Sequence, residues 1–215
     1  MWPLRILGRM IRARAIVAVV LCASLPAGEA FSPDRQAAVR LFSGLSQAEV
    51  QAVMEGYNEA LGVGCDHCHV TDRWLDDSKP AFVTARNMTR MVTALNAGAL
   101  REIGEIACWT CHSGQRQPSR QPRAALDAEL ARWPSTLADA PESQKLGMAV
   151  YNVALGVTCD HCHTQDWTEA SKPPMKLVAT MNGMFTEFPK YMPATARTQC
   201  WMCHKGSTRP KLRRR

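Results

Sequence analysis

The sequence predicts a mainly α-helical chain built from two copies of one unit, and three observations among its 215 residues predict it. Residues 54–69 and 148–163 are identical at 12 of 16 positions, which is the signature of internal duplication. The stretch Gln47 to Leu61 has no proline, sets Val50, Met54, Tyr57 and Leu61 along one face, and meets Gly62, a residue suited to closing a helix. No segment shows the period-two alternation of a half-buried strand.

In chain order, the first element is an export signal. Arg5, Arg9, Arg12 and Arg14 precede the apolar run Ala15 to Leu25, and Gly28-Glu29-Ala30 places small residues where a signal peptidase reads. Residues 1–30 are therefore expected to be a cleaved signal peptide. A retained anchor is the alternative, but the apolar run falls well short of the ~20 residues a spanning helix needs. Lipidation of Cys22 is disfavoured by Val19-Val20-Leu21 before it, where a small residue normally precedes the modified cysteine.

The first unit, 31–118, holds the helix Gln47 to Leu61 and a second helix from about Phe82 to Leu95, after the punctuation of Lys79-Pro80. Residues 119–140 are expected to be a linker, since Gln115 to Arg123 is rich in Gln, Arg and Pro. In the second unit, 141–215, Met148, Tyr151 and Leu155 repeat the first helix, a further helix is expected from about Lys176 to Phe188, and Lys211 with Arg213 to Arg215 forms a basic tail. Ser78-Lys79-Pro80 corresponds to Ser171-Lys172-Pro173, Ala85-Arg86-Asn87-Met88 to Val178-Ala179-Thr180-Met181, and His112-Ser113-Gly114 to His204-Lys205-Gly206.

Cysteine spacing carries the chemistry. Removal of the signal takes Cys22 from the nine cysteines and leaves eight, for which the default in an exported chain is a disulfide scaffold. All eight instead fall into Cys65-Asp66-His67-Cys68-His69, Cys108-Trp109-Thr110-Cys111-His112, Cys159-Asp160-His161-Cys162-His163 and Cys200-Trp201-Met202-Cys203-His204. Each is C-x-x-C-H, the haem c attachment pattern. Its two thiols can each form a thioether to a haem vinyl group, and the adjacent histidine is then held beneath the iron as proximal ligand. A thioredoxin-like pair, a zinc knuckle and ordinary disulfides are the alternatives. None of them requires a histidine after every second cysteine.

Four covalently bound haems on a mature chain of this length leave little protein per cofactor, so the porphyrins are expected to form much of the apolar core and the haem-free chain to be poorly folded. Charge points the same way. The chain's net +7 includes four arginines and Glu29 from the signal, so the mature chain carries 22 basic and 18 acidic side chains, a net of +4. Two propionates per haem bring the total to about −4 with ferrous iron and about zero with ferric, which removes the case for nucleic-acid binding.

Of six histidines, His67 and His161 lie between the cysteines of their own motifs, where they cannot turn to the distal face of that haem; they are expected to be exposed polar residues. Methionine is the other natural ligand. Met54 and Met148 stand eleven residues before Cys65 and Cys159, each on a helix able to fold back over the haem. Core packing is the commoner use of such residues. Met88 with Met91 and Met181 with Met184 are i, i+3 pairs in which one member can bind iron while the other packs.

The chain resembles the cytochrome subunit of purple bacterial photosynthetic reaction centres. The resemblance rests on Leu-Gly-Val-x-Cys-x-x-Cys-His after a Met-bearing helix, on Ala-Arg-x-Met-x-x-Met-x-x-x-Leu-Asn at 85–96 and on Cys-His-x-Gly-x-x-x-Pro at 111–118 and 203–210. It runs from about 45 to 210 and implies a mainly helical fold of approximate twofold repeat, a chain of haems, and electron delivery to an oxidised membrane partner. It also favours Met88 over Met91, the first Met of that motif being the family's ligand. Two departures stand out: the chain is much shorter than those subunits, and residues 96–107 hold no histidine to serve the fourth haem. Met181 is then the expected sixth ligand there.

These readings imply a periplasmic tetrahaem electron carrier, fed by a soluble or quinol-linked donor and passing electrons to a membrane complex such as a photosynthetic reaction centre. A multihaem reductase or peroxidase, with one open iron, is the alternative.

Overall fold

The computed structural model describes residues 41–193 and 196–211. The expected signal peptide, 1–30, and Arg213 to Arg215 of the basic tail lie outside the described residues. The chain is mainly helical, and among the described residues there is no strand, only an isolated antiparallel bridge between Val70 and Arg73.

Helix α1, Gln47–Leu61, has the bounds its sequence predicts. Ser46 starts it with a capping box, its hydroxyl accepting from the Glu49 amide at 3.3 Å while the Glu49 carboxylate accepts from the Ser46 amide at 2.7 Å. Gly62 ends it in the left-handed region at φ 66°, where glycine pays no Cβ penalty. Helix α2, Pro80–Ala97, begins two residues before the expected Phe82, because a proline in the first turn lacks only an N–H that the helix leaves unused.

Four elements are short turns of helix at the cysteine motifs: a 3₁₀ turn at Cys65–His67, α3 at Cys108–His112, and later in the chain two more given below. The expected linker is not all loop. It contains helix α4, Arg123–Ala131, and a 3₁₀ turn at Ser135–Leu137. Ala, Leu and Glu dominate 124–131 and favour helix, while the Pro, Gln and Arg before them set the composition that suggested a loop.

Helix α5, Glu142–Leu155, ends at Gly156 with φ 66°, the same closure as α1. It is followed by α6, Cys159–Cys162, by α7, Pro173–Met184, and by α8, Trp201–His204. The expected helix from Lys176 to Phe188 is thus displaced towards the N-terminus. Pro173 starts it early, and it stops at Met184 because Gly183 weakens its last turn and Pro189 biases Phe188 away from regular helix. Phe188–Lys190 forms a separate 3₁₀ turn.

Packing joins these pieces in a recurring way. Helix α1 lies on α3 and α5 lies on α8, while α3 and α8 meet each other; α4 covers α5, α2 touches α3, and α6 touches α7. Two of these contacts set glycine on glycine. The Gly114 amide donates to the Ala60 carbonyl at 2.9 Å, and the Gly206 amide to the Ala154 carbonyl at 2.9 Å. A Cβ on Gly62 would stand 2.3 Å from the Gly114 carbonyl oxygen, and one on Gly156 2.3 Å from that of Gly206. The Leu-Gly-Val and Cys-His-x-Gly stretches are therefore two sides of one backbone contact. The polypeptide's own buried apolar side chains among the described residues are few and small: Ala60, Leu95, Leu100, Ala149 and Ala154.

Candidate functional site

Each C-x-x-C-H motif occupies a single turn, which puts the histidine one residue past the second cysteine on the same turn of backbone. Three of the four histidines have the same support. His69 Nδ1 bonds the Trp74 carbonyl at 2.7 Å, His112 Nδ1 that of Gln115 at 3.0 Å, and His204 Nδ1 that of Ser207 at 2.9 Å. A carbonyl only accepts, so Nδ1 carries the proton and Nε2 keeps its lone pair for a metal. This is the usual outer-shell arrangement of a ligating histidine. Burial pushes the His112 imidazole down, towards the neutral form a metal ligand requires. His163 Nδ1 is buried and bonds nothing among the described residues, so the third motif has a polar atom that its fold leaves unsatisfied.

Cavities lie against the first and third motifs. One of about 250 Å³ is lined by Cys65, Asp66, His69, Thr71 and Trp74. The other, about 560 Å³, is walled by Cys159, His163, Trp167 and Lys172 among others, within the ~300–1,000 Å³ usual for small-molecule sites. Trp74 and Trp167 are 55% and 38% exposed, and pack against His69 and His163 with ring centroids 5.4 and 5.3 Å apart. Large aromatic faces left open beside the cysteines and histidines of the first and third motifs fit a flat apolar cofactor. Asn58 Nδ2 lies 3.2 Å from Cys65 Sγ, and Asn152 Nδ2 3.6 Å from Cys159 Sγ, so both first cysteines are held by the helix before them.

The alternatives fare worse. Burial pushes the Cys68, Cys108, Cys162 and Cys200 thiols up, away from the reactive thiolates of a redox dithiol pair. No group of three or more His, Cys, Asp or Glu side chains among the described residues is arranged to hold an ion.

Cys111 and Cys203 are joined by a disulfide with Cα atoms 4.2 Å apart. This departs from the expectation that all eight cysteines stand ready for thioethers. The cause is proximity: α3 and α8 abut, so the second cysteines of the second and fourth motifs meet across 92 residues of sequence. A sulfur holds one such bond at a time, and thioethers there require the pair as thiols. The other six, Cys65, Cys68, Cys108, Cys159, Cys162 and Cys200, are free.

Met54, Met88, Met148 and Met181 are all half-buried, and neither cavity has a methionine in its wall. Their helices are nonetheless tied in one register. The Tyr57 hydroxyl pairs with that of Thr89 at 2.8 Å, and the Tyr151 hydroxyl donates to Asn182 Oδ1 at 2.9 Å. Each tyrosine lies three residues after Met54 or Met148, and each partner directly follows Met88 or Met181. Of the spare histidines, His161 is exposed and His67 half-buried.

Sequence reasoning missed the supporting residues. Asn96 donates to the Ile106 carbonyl and accepts from its amide, both at 2.9 Å, and so closes the loop into the second motif. Phe82 packs on His69 at 5.3 Å and lies under buried Arg86 at 5.9 Å. The 85–96 stretch contains Arg86, Leu95 and Asn96, and a reading for ligands alone passes over them.

A family model described as photosynthetic reaction centre cytochrome C subunit matches residues 10–129, which include the first two motifs. Cytochrome c-554 of Chloroflexus aurantiacus is 35% identical over 81 residues, covering 35% of this chain and 20% of that protein. The chain therefore matches about a fifth of the length of this curated relative. The histidines poised on Nε2, the paired cysteines and a family match over more than half the sequence agree, and this chain belongs to the photosynthetic reaction centre cytochrome c subunit family, whose haem is bound covalently.

Proposed function

We propose that the chain is a periplasmic carrier with four covalently attached haems that passes electrons to a membrane complex, the photosynthetic reaction centre being the partner its family suggests. The observation that carries the reading is the shared histidine geometry at the first, second and fourth motifs. Cys65 and Cys68, Cys108 and Cys111, Cys159 and Cys162, and Cys200 and Cys203 would hold the four haems. His69, His112, His163 and His204 are their proximal ligands, and Met54, Met88, Met148 and Met181 the sixth. When bound, such Met/His-ligated haems supply one-electron chemistry at raised potential. The protein's part would be to orient the imidazoles of His69, His112 and His204 through Nδ1 and to flank the first and third sites with Trp74 and Trp167. Contact between α3 and α8 brings the second and fourth motifs together.

The second unit, 141–215, lies beyond the matched residues, and its equivalence to 31–118 rests on the paired hydrogen bonds above. The electron donor is a soluble or quinol-linked protein. The reductase or peroxidase reading attaches to the fourth haem, for which residues 96–107 offer no histidine.

Electron paramagnetic resonance with a redox titration of the purified holoprotein tests the assignment. Four low-spin haems are expected, and Met148→Leu should turn one of them high-spin and lower its potential. A wild-type spectrum dominated by high-spin haem, or a Met148→Leu spectrum identical to wild type, would defeat the ligand set. Carbon monoxide binding at one native haem would promote the enzyme reading.

A further inference from the structure

We infer that Glu129, on helix α4, is a positioning residue for the third motif: it fixes the Asn152 amide so that Asn152 holds the Cys159 sulfur at the wall of its cavity. The inference rests on the covalent-haem reading of that motif.

Asn152, in the last turn of α5, has two tasks. Its backbone carbonyl accepts from the Gly156 amide and from the Val157 amide, the latter at 3.0 Å, which closes the helix. Its side-chain Nδ2 reaches forward to Cys159 Sγ at 3.6 Å and also donates to Glu129 Oε1 at 2.8 Å. An amide nitrogen carries two hydrogens and a carboxylate only accepts, so Glu129 takes one hydrogen and leaves the other for the sulfur. Turned over, the amide would set Oδ1 against the carboxylate, two acceptors with no hydrogen between them. Glu129 therefore decides which atom of Asn152 meets Cys159.

The carboxylate is itself held in place. Its side chain is 14% exposed, its second oxygen pairs with Arg132, and α4 packs along α5. The duplication supplies a comparison. Asn58 closes α1 through the same backbone bonds and donates to Cys65 Sγ at 3.2 Å, with no carboxylate bonded to its amide among the described residues. Cys65 is exposed, whereas Cys159 is half-buried in the wall of the cavity of about 560 Å³. Helix α4, which composition assigns to a linker, thus works with the second unit.

Orientation of the sulfur is the consequence. A cysteine side chain has three staggered χ1 wells, and a donor on Sγ selects one of them. Attachment adds the Cys159 S–H across a vinyl double bond: the sulfur bonds one carbon, the hydrogen goes to the other, and no electron donor enters. Losing the selected well should slow that encounter by up to about threefold.

The experiment expresses the full chain with the attachment machinery, samples it early, and reads haem by mass spectrometry on the peptide holding Cys159 and Cys162 against that holding Cys65 and Cys68. Glu129→Ala should lower loading of the third motif about threefold and leave the first unchanged. Glu129→Gln, whose amide oxygen still accepts from Nδ2, and Arg132→Ala should both match wild type. Asn152→Ala should lower third-motif loading equally, and the double variant Glu129→Ala with Asn152→Ala no further, because both act through one contact. Asn58→Ala should lower the first motif instead. Native loading in Glu129→Ala, an equal loss at both motifs, or additive losses in the double variant would overturn the inference. Should Glu129→Ala yield no protein, Asn152→Asp decides, since it keeps the shape without the donor: reduced third-motif loading supports the inference and native loading overturns it. A wild-type chain loaded at the first motif and bare at the third overturns the reading on which the inference rests.

Discussion

The glycines at the helix ends do what no other residue can at those positions. Gly62 and Gly156 each combine φ 66° with a backbone oxygen 2.3 Å from where a Cβ would stand. An alanine must therefore both strain its backbone and push away the loop that follows the second or fourth motif. Gly62→Ala and Gly156→Ala should each destabilise the holoprotein by about 2–3 kcal/mol, read from urea or thermal unfolding, with weakened haem retention at the second or fourth motif. Gly56 makes the control. It sits inside α1 with open space around its Cβ position, so Gly56→Ala should stabilise by about 0.5–1 kcal/mol. Equal effects at Gly56 and Gly62 would show that the close contact with Gly114 is unimportant.

At the scale of elements, α1 is the best specified, and its start is testable. Ser46→Ala removes a capping box and should cost about 1 kcal/mol at neutral pH. The Glu49 carboxylate is held below its ordinary value, first by the Ser46 amide and then by the Ser46 hydroxyl. A depressed acid contributes stability above its unfolded value and loses it as pH falls through the folded one. The gap between wild type and Ser46→Ala should therefore narrow in acid, which urea unfolding at neutral and acid pH would measure; a gap that widens contradicts the cap. The legibility of the other elements follows from how local their determinants are. Ser46, Glu49 and Gly62 write both ends of α1 into adjacent residues, so its bounds could be read. Helix α4 is masked by the Pro- and Gln-rich segment before it, and the start of α7 lies ahead of the expected Lys176 because Pro173 fits a first turn. The four C-x-x-C-H motifs are legible because their spacing is written into adjacent residues. The meeting of Gly62 with Gly114, the clamp of Asn96 on Ile106 and the approach of Cys111 to Cys203 depend on packing between distant segments, which spacing does not encode.

For the whole molecule, the decisive fact is how little apolar core the polypeptide supplies. Three of its five buried apolar side chains among the described residues are alanines, and an alanine buries far less than the leucine or phenylalanine that usually anchors a core. The cofactors must then provide much of the cohesion. Helices α3 and α8 meet, and the Cys111–Cys203 disulfide cross-links them, closing a loop with a sequence separation of 92. Constraining so long a loop in the unfolded chain is worth up to about 4–5 kcal/mol in the chain-entropy account. Haem-free chain, prepared without the attachment machinery, should thus keep helical circular dichroism but melt broadly, and a thiol reductant should lower its urea midpoint and speed its proteolysis. On the proposed four-haem reading, holoprotein should melt sharply and ignore the reductant, because thioethers at Cys111 and Cys203 would leave no disulfide to open. A holoprotein whose stability falls on reduction would mean that these two sulfurs remain paired to each other, and that the second and fourth haems are each held by one cysteine.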